Sequence, residues 1–180
     1  HPCQALADLL TIKQHKKKLG GIVVAYIGDA NNVARSLSLA CSGVGAHFKI
    51  ASPSGYGFSQ EWIDLVNSRY QGSGLEIESF RDPLSAVSDA DIVYTDVWTS
   101  MGQENESAKR DKDFKNYQIT PQIMHLAKPG SIFMHPLPDH HGQEVSSDML
   151  DDPRSVVFDQ AENRLHAQKA IFVHLLEHST

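Results

Sequence analysis

Short apolar runs alternate with segments in which apolar residues recur every three or four positions. Residues 22–28 (IVVAYIG) are apolar and rich in β-branched side chains, and they end at Gly28, which predicts a strand buried on both faces. Beyond it Val33, Leu37 and Cys41 recur at helical spacing, with Asn31 and Asn32 offering cap chemistry and Gly43 and Gly45 stopping the pattern. The same two patterns predict a second strand at 47–51 and a helix over 60–70 whose apolar side is Trp62, Ile63, Leu65 and Val66. A third strand follows at 75–80, and a short helix opens at Asp82-Pro83 and runs through Val87.

Residues 91–97 (DIVYTDV) predict a fourth strand, and the charge-dense stretch 100–116 then predicts a long solvated loop. Thr120 and Pro121 open a helix to Leu126, Lys128-Pro129-Gly130 turns the chain, and 131–137 predicts a fifth strand. A sixth is expected at 156–159. The closing helix is expected over 163–177, with Ala167, Ile171 and Leu175 on its apolar side. Another helix is expected from the first residues onward, and because the chain opens on His1 the start is expected to be cut from something longer.

This alternation points to an α/β fold: a single-domain, doubly wound parallel sheet of about five strands with helices on both faces, Rossmann-like. The length of 180 residues suits one hydrophobic core. In such sheets ligands sit beyond the carboxyl ends of the strands, which selects residues 28–32, 96–102, 135–142 and 160–164.

Composition narrows the chemistry. A net charge of -6 is the wrong sign for phosphate-backbone binding, so nucleic acid is not expected as a partner. Cys3 and Cys41 form no C-x-x-C or zinc spacing, which suits a reducing cytoplasm. No apolar run reaches the roughly 20 residues of a membrane span, so no membrane partner is expected.

The loop after the first strand lacks G-x-G-x-x-G, and Asp29 would repel a pyrophosphate, which argues against a dinucleotide. Asn32 carries both a donor and an acceptor and suits a zwitterion, although either Asn31 or Asn32 also serves as a plain helix cap. Asp96 at a strand end, with Ser100 four residues on and the turn Met101-Gly102, suits an ammonium and a carboxylate; a capped turn explains it equally. Pro136 and Pro138 pin an extended segment whose carbonyls are open to an amide. Asp139, His140 and His141 match part of a manganese phosphoesterase signature, but Asp89 and Asp91 precede their strand and supply no further ligands. Arg164 heads the last helix and is placed either to bind phosphate or to form a surface ion pair. His1 and Gln4 stand one turn apart and both suit a small carbonyl or phosphate group. Lys16-Lys17-Lys18 reads as a solvated helix end.

Five segments occur together and in order: HPCQALADLLTI at the start, GDANNVARSL, DVWTSMGQE, MHPLP and FDQAENRLHAQKAI. Together they resemble the aspartate/ornithine carbamoyltransferase family, nearest its ornithine-using branch, over essentially the whole chain. The resemblance is to the carboxyl-terminal part of a family chain: the amino-acid-binding domain plus the helix leading into it. It implies transfer of the carbamoyl group of carbamoyl phosphate to the δ-amine of L-ornithine, giving citrulline and phosphate in arginine biosynthesis, without metal or organic cofactor. By resemblance His1, Gln4, Leu137 (through its carbonyl) and Arg164 would meet carbamoyl phosphate. Asn32, Asp96, Ser100 and Met101 would hold ornithine, with Asp96, Arg164, His1 and Gln4 counted as catalytic.

Two departures stand out. Pro136 replaces the cysteine usual in ornithine members and looks like the aspartate version, and Asp139-His140-His141 replaces an arginine often found there. Another amine acceptor therefore stays open, as does a non-catalytic binding domain of the same fold. The family's amino-terminal domain, with its Ser-Thr-Arg-Thr phosphate loop, has no counterpart in these residues. The chain alone is accordingly expected to be inactive, and the whole protein is expected to form a cytoplasmic homotrimer, as the family does.

Overall fold

The computed structural model describes residues 1–70, 76–100 and 102–178. Helix α1 (Pro2–Lys16) starts on a proline, whose fixed φ suits a first turn, and stops at Lys17 in the left-handed conformation. Strand β1 (Val23–Ile27) follows, then α2 (Asn32–Val44). Asn31 caps α2, its side-chain oxygen accepting from the amides of Val33 and Ala34, and Gly45 closes it at φ 69°, where a side chain would be strained.

Next come β2 (His47–Ala51), α3 (Gln60–Asn67), β3 (Ile77–Phe80), α4 (Pro83–Val87) and β4 (Ile92–Thr95). They are followed by α5 (Ser107–Phe114), α6 (Pro121–Met124), β5 (Ile132–Met134) and α7 (Val157–Glu177). The five strands form one parallel sheet in the order β3-β2-β1-β4-β5. Strand order reverses between β1 and β4, so the loops after these two strands open on a shared crevice.

Alternating side chains feed two cores. Val24, Tyr26, Phe48, Ile92 and Tyr94 pack with α1, α2 and α3, and the rings of Phe48, Tyr26 and Tyr94 stack across three strands at 6.2 and 5.5 Å between centroids. Ala25, Ile27, Val93 and Phe133 pack on the other face with Ala86 and Val87 of α4, Phe114 of α5 and Met124 of α6. Helix α7 lies along α1. Helices therefore cover both faces, as the alternating pattern predicts.

Several expectations are corrected. There is no strand at 156–159: Phe133 makes a single parallel bridge with Ser155, and the chain enters α7 at Val157. The helical stretch therefore starts earlier than residue 163, with Asp159 in its first turn, where a carboxylate complements the helix dipole. Residues 100–116 are not simply a loop, since α5 forms there and buries Arg110 and Phe114, one turn apart. The helix predicted over 60–70 ends at Asn67 and tightens into a 3-10 turn at Ser68–Tyr70, and it buries Val66 while Leu65 is exposed. On α7 Ala167 is buried, but Phe172, Leu175 and Leu176 are exposed. Leu75, the expected first residue of the third strand, lies outside the described residues.

Candidate functional site

The crevice after β1 and β4 is an open cleft of about 740 Å³, walled by Asn32 and Arg35 of α2, Tyr56, Ser100, and Lys109 and Arg110 of α5. Beneath it, Asp96 follows β4 and is nearly buried. One of its oxygens accepts from the Nδ2 of Asn31 at 2.7 Å and the other from the amide of Val97 at 2.9 Å. Burial pushes the Asp96 carboxyl up, against the lowering effect of the Asn31 hydrogen bond. Asn31, which also caps α2, thus makes the contact with Asp96, while Asn32 stands exposed on the cleft wall.

Arg110 closes the far side of the cleft. Its Nη1 donates to Asp29 Oδ2 at 2.6 Å and to the carbonyl of Trp98 at 2.8 Å, and its guanidinium lies 5.0 Å from the centre of the Tyr56 ring. The Asp29 charge expected to repel a pyrophosphate is therefore paired inside the protein.

A second, smaller pocket of about 110 Å³ lies after β5, lined by Gln4, Pro136, Leu137 and Arg164 together with His135, Gln160 and Ala161. Gln4 joins it from α1 because α1 and α7 run side by side. Arg164 Nη1 donates to Gln4 Oε1 at 2.6 Å, whereas the buried Arg164 Nε has no acceptor among the described residues. The Leu137-Pro138 peptide is cis.

His135 is fully buried, and its Nε2 lies 3.1 Å from Glu144, which also accepts from the amide of His140. Burial alone would raise the Glu144 carboxyl, but the hydrogen bonds from His135 and His140 outweigh it and hold the group below its ordinary value.

The structure thus gathers Gln4, Leu137 and Arg164 in one pocket and places Asn32 and Ser100 on the wall of the other, with Asp96 below the cleft. His1 is exposed at the head of α1, where its carbonyl accepts from the amides of Gln4 and Ala5, and it lines neither pocket. Met101 lies outside the described residues. Asp139 pairs with His141 at 3.0 Å, and among the described residues no three His, Cys, Asp or Glu side chains converge as a metal ligand set. No described helix is long and apolar enough to cross a membrane.

Sequence reasoning missed two features. One is the Arg110 anchor, whose only local signal is the spacing of Arg110 and Phe114. The other is a buried hydrogen-bond cluster behind the small pocket, centred on Asp8. There Asp8 Oδ1 accepts from the amides of Gln4 and Gln160, each at 2.8 Å, and Asp8 Oδ2 accepts from the Tyr94 hydroxyl at 3.0 Å.

In sequence and in fold the chain is similar to known proteins. A family model described as the Asp/Orn binding domain of aspartate/ornithine carbamoyltransferase matches residues 20–175. Ornithine carbamoyltransferase of Thermococcus kodakarensis is 50% identical over 171 residues, covering 95% of this chain and 54% of that protein. That of Bacillus subtilis is 49% identical over 176 residues, covering 98% of this chain and 55% of that protein. The solved ornithine carbamoyltransferase of Pyrococcus furiosus superposes with a TM-score of 0.89 at 49% identity, over 96% of this chain and 55% of that one. The chain spans about half the length of the curated relatives it matches.

Proposed function

This chain belongs to the aspartate/ornithine carbamoyltransferase family, and from that premise we propose that it is the amino-acid-binding half of an enzyme that carbamoylates L-ornithine. The observation carrying this reading is the pairing of two differently shaped sites at the strand ends. The pocket of about 110 Å³ offers amide, guanidinium and carbonyl groups to carbamoyl phosphate, with its planar carbamoyl group and tetrahedral phosphate, and the cleft above Asp96 offers mixed polar groups to a zwitterion.

In this account the Leu137 carbonyl accepts from the carbamoyl amide, Gln4 and His1 meet the carbamoyl group, and Arg164 meets the phosphate. For His1 the support is the family resemblance alone. Asp96 accepts from the α-ammonium of ornithine, and Asn32, Ser100 and Met101 take the α-carboxylate, Met101 again by resemblance. The neutral δ-amine attacks the carbamoyl carbon; the C–N bond forms, the C–O bond to phosphate breaks with the electron pair leaving on phosphate, and the proton the amine nitrogen gives up passes to the departing phosphate. Positioning and fixed donors supply most of the acceleration.

Among the described residues Arg164 is the single cation lining the small pocket, too little charge to hold a phosphate dianion firmly, so the 180-residue chain by itself should form no citrulline. The full-length protein is read as a homotrimer acting in arginine biosynthesis without metal or organic cofactor, supported by family membership, and as cytoplasmic, supported by its two unpaired cysteines.

Paired substitutions in the full-length protein test the assignment. Asp96→Asn should raise the KM for ornithine about thirtyfold with little change for carbamoyl phosphate, the loss expected when one partner of a desolvated charge pair is removed. Arg164→Gln should do the reverse. If both variants weaken the same substrate, the division of the site is wrong.

A further inference from the structure

The buried Asp8 carboxylate does not itself line the small pocket, yet it hydrogen-bonds two side chains that do, Gln4 and Gln160. Asp8 is fully buried, as is Gln160, and Gln4 is nearly so. An ionised carboxylate only accepts hydrogen bonds, whereas a primary amide donates at one end and accepts at the other. With both Nε2 groups turned inward onto Asp8 Oδ1, both amide oxygens must face outward. Gln4 Oε1 then receives Arg164 Nη1, and Gln160 Oε1 receives the backbone amide of His135 at 2.9 Å, at the entry to Pro136 and Leu137. The Tyr94 hydroxyl closes the ring, donating to Asp8 Oδ2 and accepting from Gln160 Nε2 at 3.1 Å.

We propose that Asp8 is a positioning residue for the carbamoyl-phosphate end of the site: it fixes the direction of the Gln4 and Gln160 amides, and through them the Arg164 guanidinium and the backbone that presents the Leu137 carbonyl. The proposal rests on the function proposed above. A cluster serving only to fill the core would be better made of apolar side chains, because a buried anion loses its hydration and a packed hydrocarbon does not. The cluster instead terminates at two lining groups of one pocket. Replacing Asp8 by Asn leaves volume and packing almost unchanged but supplies a donor as well as an acceptor, so the two amides no longer have a single allowed direction. Replacing Tyr94 by Phe removes one hydrogen bond to Asp8 and leaves that direction enforced.

Carbamoyl transfer by the full-length protein separates the possibilities. Asp8→Asn should raise the KM for carbamoyl phosphate about tenfold and leave the KM for ornithine within twofold, and Tyr94→Phe should leave both within twofold. A folded Asp8→Asn protein with an unchanged carbamoyl-phosphate KM overturns the proposal. Should Asp8→Asn fail to fold, through-hydrogen-bond NMR couplings in the unsubstituted chain decide it. Correlation of both the Gln4 and Gln160 Nε2 nuclei with the Asp8 carboxylate carbon is expected, and absence of either correlation overturns the proposal. If the unsubstituted full-length protein carbamoylates no amine, the function reading fails on its own, while the couplings still report whether Asp8 orients the two amides.

Discussion

Burial of Asp8 should make its charge costly to the fold, and Asp8→Asn measures that cost. Burial raises its carboxyl from 3.8 to about 6, against the lowering effect of the hydrogen bonds from Gln4, Gln160 and Tyr94 and of the Arg164 charge. Each pKa unit corresponds to about 1.4 kcal/mol, so ionised Asp8 costs the folded state about 3 kcal/mol relative to the neutral form. The folded chain holds the proton more tightly than the unfolded chain. The penalty is therefore complete above pH 6 and is relieved as pH falls toward 3.8, where the unfolded chain protonates too. Urea unfolding of the wild-type chain and of Asp8→Asn at pH 7.5 and 4.5 gives four free energies. Carboxyls held below their ordinary values, such as Asp91 and Asp152, lose stability over the same interval in both chains and cancel in the difference. Wild type should gain about 2 kcal/mol on Asp8→Asn between the two pH values. A difference that is flat, or that moves the other way, would refute a buried ionisable carboxylate at this position.

Three further substitutions test the frame around the site. Asn31→Ala removes the cap of α2 and the donor to Asp96 and should cost about 1–2 kcal/mol in urea unfolding, whereas Asn32→Ala at the exposed neighbouring position should cost under about 0.5 kcal/mol; equal costs would contradict the assigned roles. Leu37→Ala opens a cavity among fully buried side chains and should destabilise by about 2–5 kcal/mol in the same assay, and a loss below about 1 kcal/mol would contradict the packing of α2 on the sheet.

Most of the fold was legible because short apolar runs and helical spacings are local properties. The strand at 47–51 was read to the residue, and the Asp82-Pro83 and Thr120-Pro121 starts were read from cap chemistry. The segment 156–159 misled because Val156, Val157 and Phe158 have strand propensity, while the pairing that decides the matter, a single bridge to Phe133, comes from the distant β5. The charge of 100–116 hid α5 because its buried arginine is satisfied by Asp29, eighty-one residues away. The strand-end rule located both pockets, but it could not distinguish Asn31 from Asn32, since either spacing caps a helix. Nor could it find Asp8, which matters through partners 86 and 152 residues distant.

The most direct measurement is carbamoyl transfer by the full-length protein, read as phosphate release from carbamoyl phosphate, with L-ornithine and in parallel with putrescine, aspartate and N-acetylornithine as acceptors. The account predicts that ornithine is preferred, because the cleft above Asp96 reads both the α-ammonium and the α-carboxylate. Preference for putrescine, which lacks the carboxylate, or for aspartate or N-acetylornithine, would contradict it and assign specificity to the Pro136 segment instead.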